Sequence, residues 1–307
     1  MLPVRMVPGD VPPVKRRLRR ACYHRLAACV LWTVRRLPTD VGRRFCTTLV
    51  RAGLRLRARE RERACANLRL VFPELTEAAR ERLLGRSAAA LGANLFDALT
   101  LDRWHGRDYA GVSEDGAVAV LRDLRARGRG VLVLTGHFGC WELLGGYLAK
   151  VLGGLTVVTG TIHNPPVDRM VNRWRSASGL TTVPREGDLR PLLRCLRDGG
   201  VAAILLDQNT RVENVTLPFC GHPAPTPVGF ARLAIKLGSP ILPVVIARRG
   251  DGHEVRHLPP LEPRDYEGDG SVEALLGACN DSLEKALRRN PAEWVWFHRR
   301  WLEEAEG

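Results

Sequence analysis

Four short apolar runs, separated by stretches of helical spacing, constrain the fold of this 307-residue chain more than any other feature. Residues 131–135 (VLVLT), 155–161 (LTVVTGT), 201–207 (VAAILLD) and 241–247 (ILPVVIA) are rich in β-branched and aliphatic side chains. They lack the strict polar alternation of a half-exposed strand, which fits strands buried on both faces. Residues 138–150, 189–197 and 231–237 read instead as helices. Strands alternating with helices predict an α/β fold, a mostly parallel central sheet flanked by helices in three layers. An apolar content of 45% permits a sizeable core in one large domain. Functional groups in such sheets gather at the carboxyl ends of the strands, so Gly136, His137 and Asp207 are expected there, Gly136 and Asp207 in contact with a substrate.

The first of these ends carries residues 135–142 (TGHFGCWE), which place a histidine and a carboxylate five positions apart around a glycine turn. Five residues on a continuous helix rotate by about 140°, so His137 is expected at or before the first helical turn, where its ring can bend back toward Glu142. There the positive end of the helix dipole keeps imidazole neutral and able to accept a proton. A hydrogen bond to Glu142 fixes the tautomer and turns the other ring nitrogen toward a substrate hydroxyl. A His-x4-Glu spacing alone is more often structural than catalytic. A zinc reading is weaker, because the eight cysteines are dispersed, with no paired CxxC and no HExxH, and Cys140 reads as packing. No metal or cofactor is expected.

Charge is unevenly placed. Residues 1–63 carry 17 Lys or Arg against four acids, so this segment holds +13 of a formal +14. Its most apolar stretch, residues 21–34, is interrupted by His24 and Arg25 and is shorter than the roughly 20 apolar residues a span requires. It predicts an interfacial segment, with Leu26, Val30, Trp32 and Leu49 as apolar anchors and Arg35, Arg36, Arg43 and Arg44 among anionic headgroups. Nucleic acid is a poor partner, since the basic stretch has few interleaved aromatics and no reading motif. A signal peptide fits no better, and unpatterned cysteines suit a reducing compartment. Two units are expected: a basic membrane-associating helical segment over 1–63 and a larger domain over 64–307.

Several segments in order resemble the late acyltransferases of bacterial lipid A biosynthesis, relatives of the glycerolipid acyltransferases. They are TGHFGCWE, residues 63–75 (RACANLRLVFPEL), Arg175 with Gly179, residues 205–209 (LLDQN), residues 217–229 (LPFCGHPAPTPVG) and residues 296–301 (WFHRRW). The glycerol-phosphate branch usually has Asp in its His-x4-Asp motif and a Phe-Pro-Glu-Gly segment after the histidine. Here the acid is Glu142, and Phe72-Pro73-Glu74 comes before it, which favours the lipid A branch. The resemblance implies an enzyme that moves a fatty acyl chain from acyl carrier protein or acyl-CoA to a hydroxyl of a membrane glycolipid. His137 is then the base, Glu142 its orienter and Arg175 a contact for an anionic headgroup, at the cytoplasmic face of a bacterial inner membrane. Donors near the helix start would stabilise the oxyanion. Another polar lipid such as a phosphatidylinositol mannoside, hydrolysis, and a catalytically idle lipid-binding protein are the rival readings. Asp207 reads as a loop cap or a support for the site, residues 220–227 as a rigid loop, and residues 298–300 as terminal packing or phosphate contacts.

Overall fold

The computed structural model describes residues 31–160, 165–210 and 212–302. Readings that fall on residues 21–30, with Leu26 and Val30, and on position 161 lie outside the described residues. A seven-stranded sheet organises the chain. Its strands are β1 (Val112–Glu114), β2 (Val131–Thr135), β3 (Leu155–Thr159), β4 (Leu180–Pro184), β5 (Val201–Leu205), β8 (Ile241–Arg249) and β9 (Gly252–His257), in the order β1-β9-β8-β2-β5-β3-β4. All neighbouring pairs are parallel except β8 with β9. The expected mostly parallel sheet is therefore present, and all four apolar runs are strands within it.

The period-2 geometry of strands explains why those runs are apolar throughout. On β2, Leu132 and Leu134 point into one core while Val131 and Val133 point into the other. The first core is closed by helices α2 (Ala58–Val71), α3 (Glu77–Leu99), α9 (Gly229–Leu237) and α10 (Ser271–Arg289), through side chains such as Leu68, Leu84, Ala231 and Leu283. The second is closed by α4 (Leu101–Gly106), α5 (Ala117–Ala126) and α6 (Trp141–Leu152), through Trp104, Leu121 and Leu148. Each fully buried Leu or Val contributes about 1.5–3 kcal/mol. Helices α7 (Pro165–Ala177) and α8 (Arg190–Arg197) connect β3 to β4 and β4 to β5.

Winding direction fixes where the strand ends meet. From β2 the chain moves outward to β3 and β4, returns to insert β5 between β2 and β3, then crosses to the other side of β2 for β8. Thr135 at the end of β2 is in register with Leu205 at the end of β5, and Leu206 N–H donates to Thr135 O at 3.0 Å. The loops after these two strands therefore leave the sheet side by side, at the reversal point where open α/β sheets form their sites.

Two features differ from the sequence reading. Residues 220–227 belong to an antiparallel hairpin, β6 (Asn214–Phe219) with β7 (His222–Pro227), and not to a loop. Pro223, Pro225 and Pro227 occupy alternate positions of β7, so all three missing N–H groups fall on one edge, where a two-stranded ribbon needs no donors. At the N-terminal end, α2 runs unbroken across position 63, so the expected unit boundary falls inside a helix. Helix α1 (Thr39–Leu56) packs along α3, with Gly42 against the Phe96 ring. No helix among the described residues is long and apolar enough to cross a membrane.

Candidate active site

Helix α6 begins at Trp141, three residues later than its spacing predicts, so residues 136–140 form a loop and His137 stands outside the helix. Two glycines shape that loop. Gly139 adopts φ of +53°, and a Cβ there would lie 2.3 Å from Ile246 O. At Gly136 a Cβ would lie 2.8 Å from the Asp207 carboxyl, so glycine at 136 is what lets the end of β5 approach the end of β2. Gly136 thus makes room for Asp207, in place of the substrate contact expected of it.

The carboxylate against His137 is Asp207. Its Oδ1 accepts from His137 Nδ1 at 2.8 Å, and its Oδ2 accepts the His137 backbone N–H at 2.6 Å and the Trp294 indole N–H at 2.8 Å. Asp207 is fully buried. Burial alone would raise its pKa, but the adjacent His137 and these hydrogen bonds outweigh it and hold the carboxyl below the usual carboxylate range. An ionised Asp207 on Nδ1 leaves the lone pair on Nε2, facing the cavity. Glu142, expected in this role, is turned away because it sits in the first turn of α6, and its carboxylate is engaged by Arg175, with Nε donating at 3.0 Å and a second bond from the other guanidinium nitrogen. Arg175, from α7, expected to meet a headgroup, is accordingly charge-paired with Glu142.

His137, Glu142 and Arg175 line one cavity of about 380 Å³ together with Trp141, Arg185 and Gln208. The imidazole is flanked by Trp141 and His298, with ring centroids 4.9 and 4.8 Å away. A second cavity of about 350 Å³, walled by Leu192, Ile204, Val228, Phe230 and Leu233 among others, shares Val158, Arg185, Leu205 and Thr210 with the first. Backbone donors of the loop that precedes α6 are engaged within the protein. The N–H groups of His137, Phe138 and Gly139 go to Asp207, Gly136 O and Glu293 O. Cys140 is buried with its thiol pushed up by burial, so it is packing and no nucleophile.

The model for bacterial lipid A biosynthesis acyltransferases matches residues 12–303. The chain belongs to that family. Among its relatives, the lipid A biosynthesis lauroyltransferase of Escherichia coli is 28% identical over 91% of this chain and 90% of its own length. The lipid A biosynthesis palmitoleoyltransferase of the same organism is 26% identical over 88% of each chain. A phosphatidylinositol mannoside acyltransferase of Mycolicibacterium smegmatis is 27% identical over 57% of this chain and 58% of its own.

In this lipid A acyltransferase family member, the segments that are scattered along the sequence converge on the dyad. Residues 293–295 pair with the His137 loop, through the Phe138–Trp294 bridge and the bond from Val295 N–H to His137 O at 3.3 Å. Asn67, from the segment 63–75, donates to Trp296 O and His298 O at 2.8 and 3.0 Å, and Phe72 packs on Trp296. Ser87 donates to Trp294 O at 3.1 Å. Arg300 is buried, donating to Pro225 O, Thr226 Oγ1 and Asn280 Oδ1 with its guanidinium 4.7 Å from the Phe219 ring centroid, so it is a structural link and no phosphate contact. The sequence reading missed Gln208, Trp294 and His298 as neighbours of the base. Of these, Gln208 carried a signal, since it follows Asp207 at the carboxyl end of an apolar run that reads as a strand.

Proposed function

We propose that this protein is an O-acyltransferase that moves a fatty acyl chain from a thioester, on acyl carrier protein or coenzyme A, to a hydroxyl of a membrane glycolipid of the lipid A precursor class. The observation that carries the reading is a general base opening into a polar cavity that abuts an apolar one. The apolar cavity suits an alkyl chain, and the polar one a sugar with anionic substituents beside Arg185 and the Glu142–Arg175 pair. His137 Nε2 takes the proton of the acceptor hydroxyl as its oxygen attacks the thioester carbonyl. The C–S bond then breaks, and the leaving thiolate takes the proton from the imidazolium that Asp207 stabilises. No acyl-enzyme is formed.

The relatives that are phosphatidylinositol mannoside acyltransferases favour a second acceptor class for the same chemistry. Mass spectrometry of total lipids from cells with and without the gene separates the two. The expected result is a glycolipid of the lipid A type lighter by one acyl group in the deletion strain. The same deficit on an inositol mannoside would replace the acceptor, and no acyl difference on any lipid would sink the reading.

Attachment to a membrane surface, which we place at the cytoplasmic face of the inner membrane by the proposed activity, is supported by α1. Val41, Phe45 and Leu49 recur every four residues on its solvent side and are 51%, 41% and 48% exposed, and Trp32 and Leu56 are exposed as well. Arg36, Arg44, Arg51 and Arg55 are exposed in the same region. Of the arginines expected among the headgroups, Arg43 turns inward to the buried Asp97, and Arg35 is held by the exposed carboxylate of Asp102 and by Leu99 O. Replacing Phe45 and Leu49 together by Glu should weaken binding to vesicles of anionic phospholipid at least tenfold, because it removes two apolar anchors and adds repulsion. Turnover in detergent should change little. Unchanged sedimentation with vesicles would remove α1 from the membrane contact.

A further inference from the structure

Gln208 stands between two imidazoles. Its amide nitrogen lies 3.1 Å from His137 Nε2, 2.8 Å from His298 Nε2 and 3.1 Å from His298 Nδ1. Because Nδ1–H of His137 is donated to Asp207, Nε2 of His137 is an acceptor, and the amide donates one N–H to it and the other to His298. In the free enzyme the lone pair that must receive the acceptor's proton is therefore already taken.

We propose that Gln208, clamped by His298, is a positioning residue that caps the general base against water until an acceptor alcohol displaces it. The inference rests on the acyl-transfer reading above. An uncapped base beside a bound thioester would deprotonate water; the water oxygen would bond to the carbonyl carbon, the C–S bond would break, and fatty acid and free thiol would leave with the donor wasted. Water brings no remote contacts with which to move the amide. A glycolipid held along the cavity by its sugar and anionic groups does, and its binding energy drives the displacement. The geometry accommodates the exchange. Gln208 belongs to the irregular segment after β5, and whichever ring nitrogen of neutral His298 bears the lone pair lies within reach of the amide, so it keeps an acceptor as it leaves His137. His298 is suited to hold a neutral amide, since burial and then the nearby His137 lower its pKa to about 4 and leave it uncharged near neutrality. Trp141, on the other side of the base, closes the second approach to the ring.

The test uses the full chain in detergent with dodecanoyl-coenzyme A. Thiol release is measured without acceptor, and acyl transfer is measured with a lipid A precursor. Wild-type transfer tests the acyl-transfer reading itself, and the variants test the cap. Gln208→Met keeps the bulk and removes the donor, and it should raise the ratio of hydrolysis to transfer about tenfold, the worth of one hydrogen bond. His298→Phe, which removes the clamp from the other side, should shift the ratio in the same direction and stands in where Gln208→Met fails to fold by thermal melting. An unchanged ratio overturns the proposal. So does a parallel loss of hydrolysis and transfer, which would make the amide a donor to the tetrahedral oxyanion common to both reactions.

Discussion

Asp207→Asn should lower the turnover of acyl transfer by about 10³–10⁴-fold while leaving the fold and the melting temperature nearly intact. The amide retains the shape of the carboxylate, and its Oδ1 can still accept from Trp294. It cannot, however, both accept the backbone N–H of His137 and stabilise an imidazolium at Nδ1, and its NH2 group favours the tautomer that puts hydrogen on Nε2. His137→Ala should match or exceed this loss. Glu142→Gln acts elsewhere, by releasing one side of the Arg175 fork. Its effect should therefore be non-additive with Arg175→Gln in a double-mutant cycle and additive with mild perturbations of the dyad. Steady-state turnover of the purified variants decides the matter. If Asp207→Asn keeps wild-type turnover while Glu142→Gln abolishes it, the base is oriented by Glu142 in the active complex and the assignment of Asp207 fails.

Asp97→Ala should destabilise the protein by about 3–5 kcal/mol, the usual effect of stripping one partner from a buried charge cluster. Asp97 on α3 is 1% exposed and gathers Arg43 of α1, Arg248 of β8 and His253 of β9. Removing the carboxylate leaves two guanidinium groups facing each other in the interior. Differential scanning calorimetry should show a drop of roughly 10 °C. The cluster also sets an acid limit. Burial would raise the Asp97 pKa, but the hydrogen bond from His253 and the charge of Arg248, with Arg43, outweigh it and hold the group at about 2. A carboxylate whose folded pKa lies below its unfolded value near 3.9 stabilises fully above about pH 4, and that contribution disappears as pH falls toward 2. Across that window the parent protein should lose about 2 kcal/mol more stability than Asp97→Asn. A melting temperature unchanged by Asp97→Ala would show that the cluster contributes nothing net.

The sheet was legible because local signals carry it. A strand buried on both faces must be apolar at consecutive positions, and VLVLT, VAAIL and ILPVVIA advertise that directly. The site was legible only in part. His137 and Asp207 were each expected at strand ends, yet their pairing depends on β5 being inserted next to β2, a long-range choice that no local pattern encodes. The five-residue spacing to Glu142 suggested the nearer carboxylate. The chain reaches a different solution because Gly136 and Gly139 delay the start of α6 and bring β5 into contact. The β6–β7 hairpin was hidden by its prolines, which usually argue against strands and are tolerated here on one unpaired edge.

The bond from Trp294 to Asp207 gives the site a position in time as well as in space. The strands that bear His137 and Asp207 leave the ribosome well before residue 294, and domains begin to fold as they emerge. A nascent chain can therefore complete the sheet while Asp207 still lacks one of its three donors and the His137 loop lacks the backbone pairing supplied by residues 293–295. The Trp294 donor and the backbone pairing of the His137 loop arrive only when that late segment docks against Asn67 and Ser87, on helices synthesised long before it. The last-made stretch of the described chain thus completes the support of a site whose other parts are synthesised far earlier.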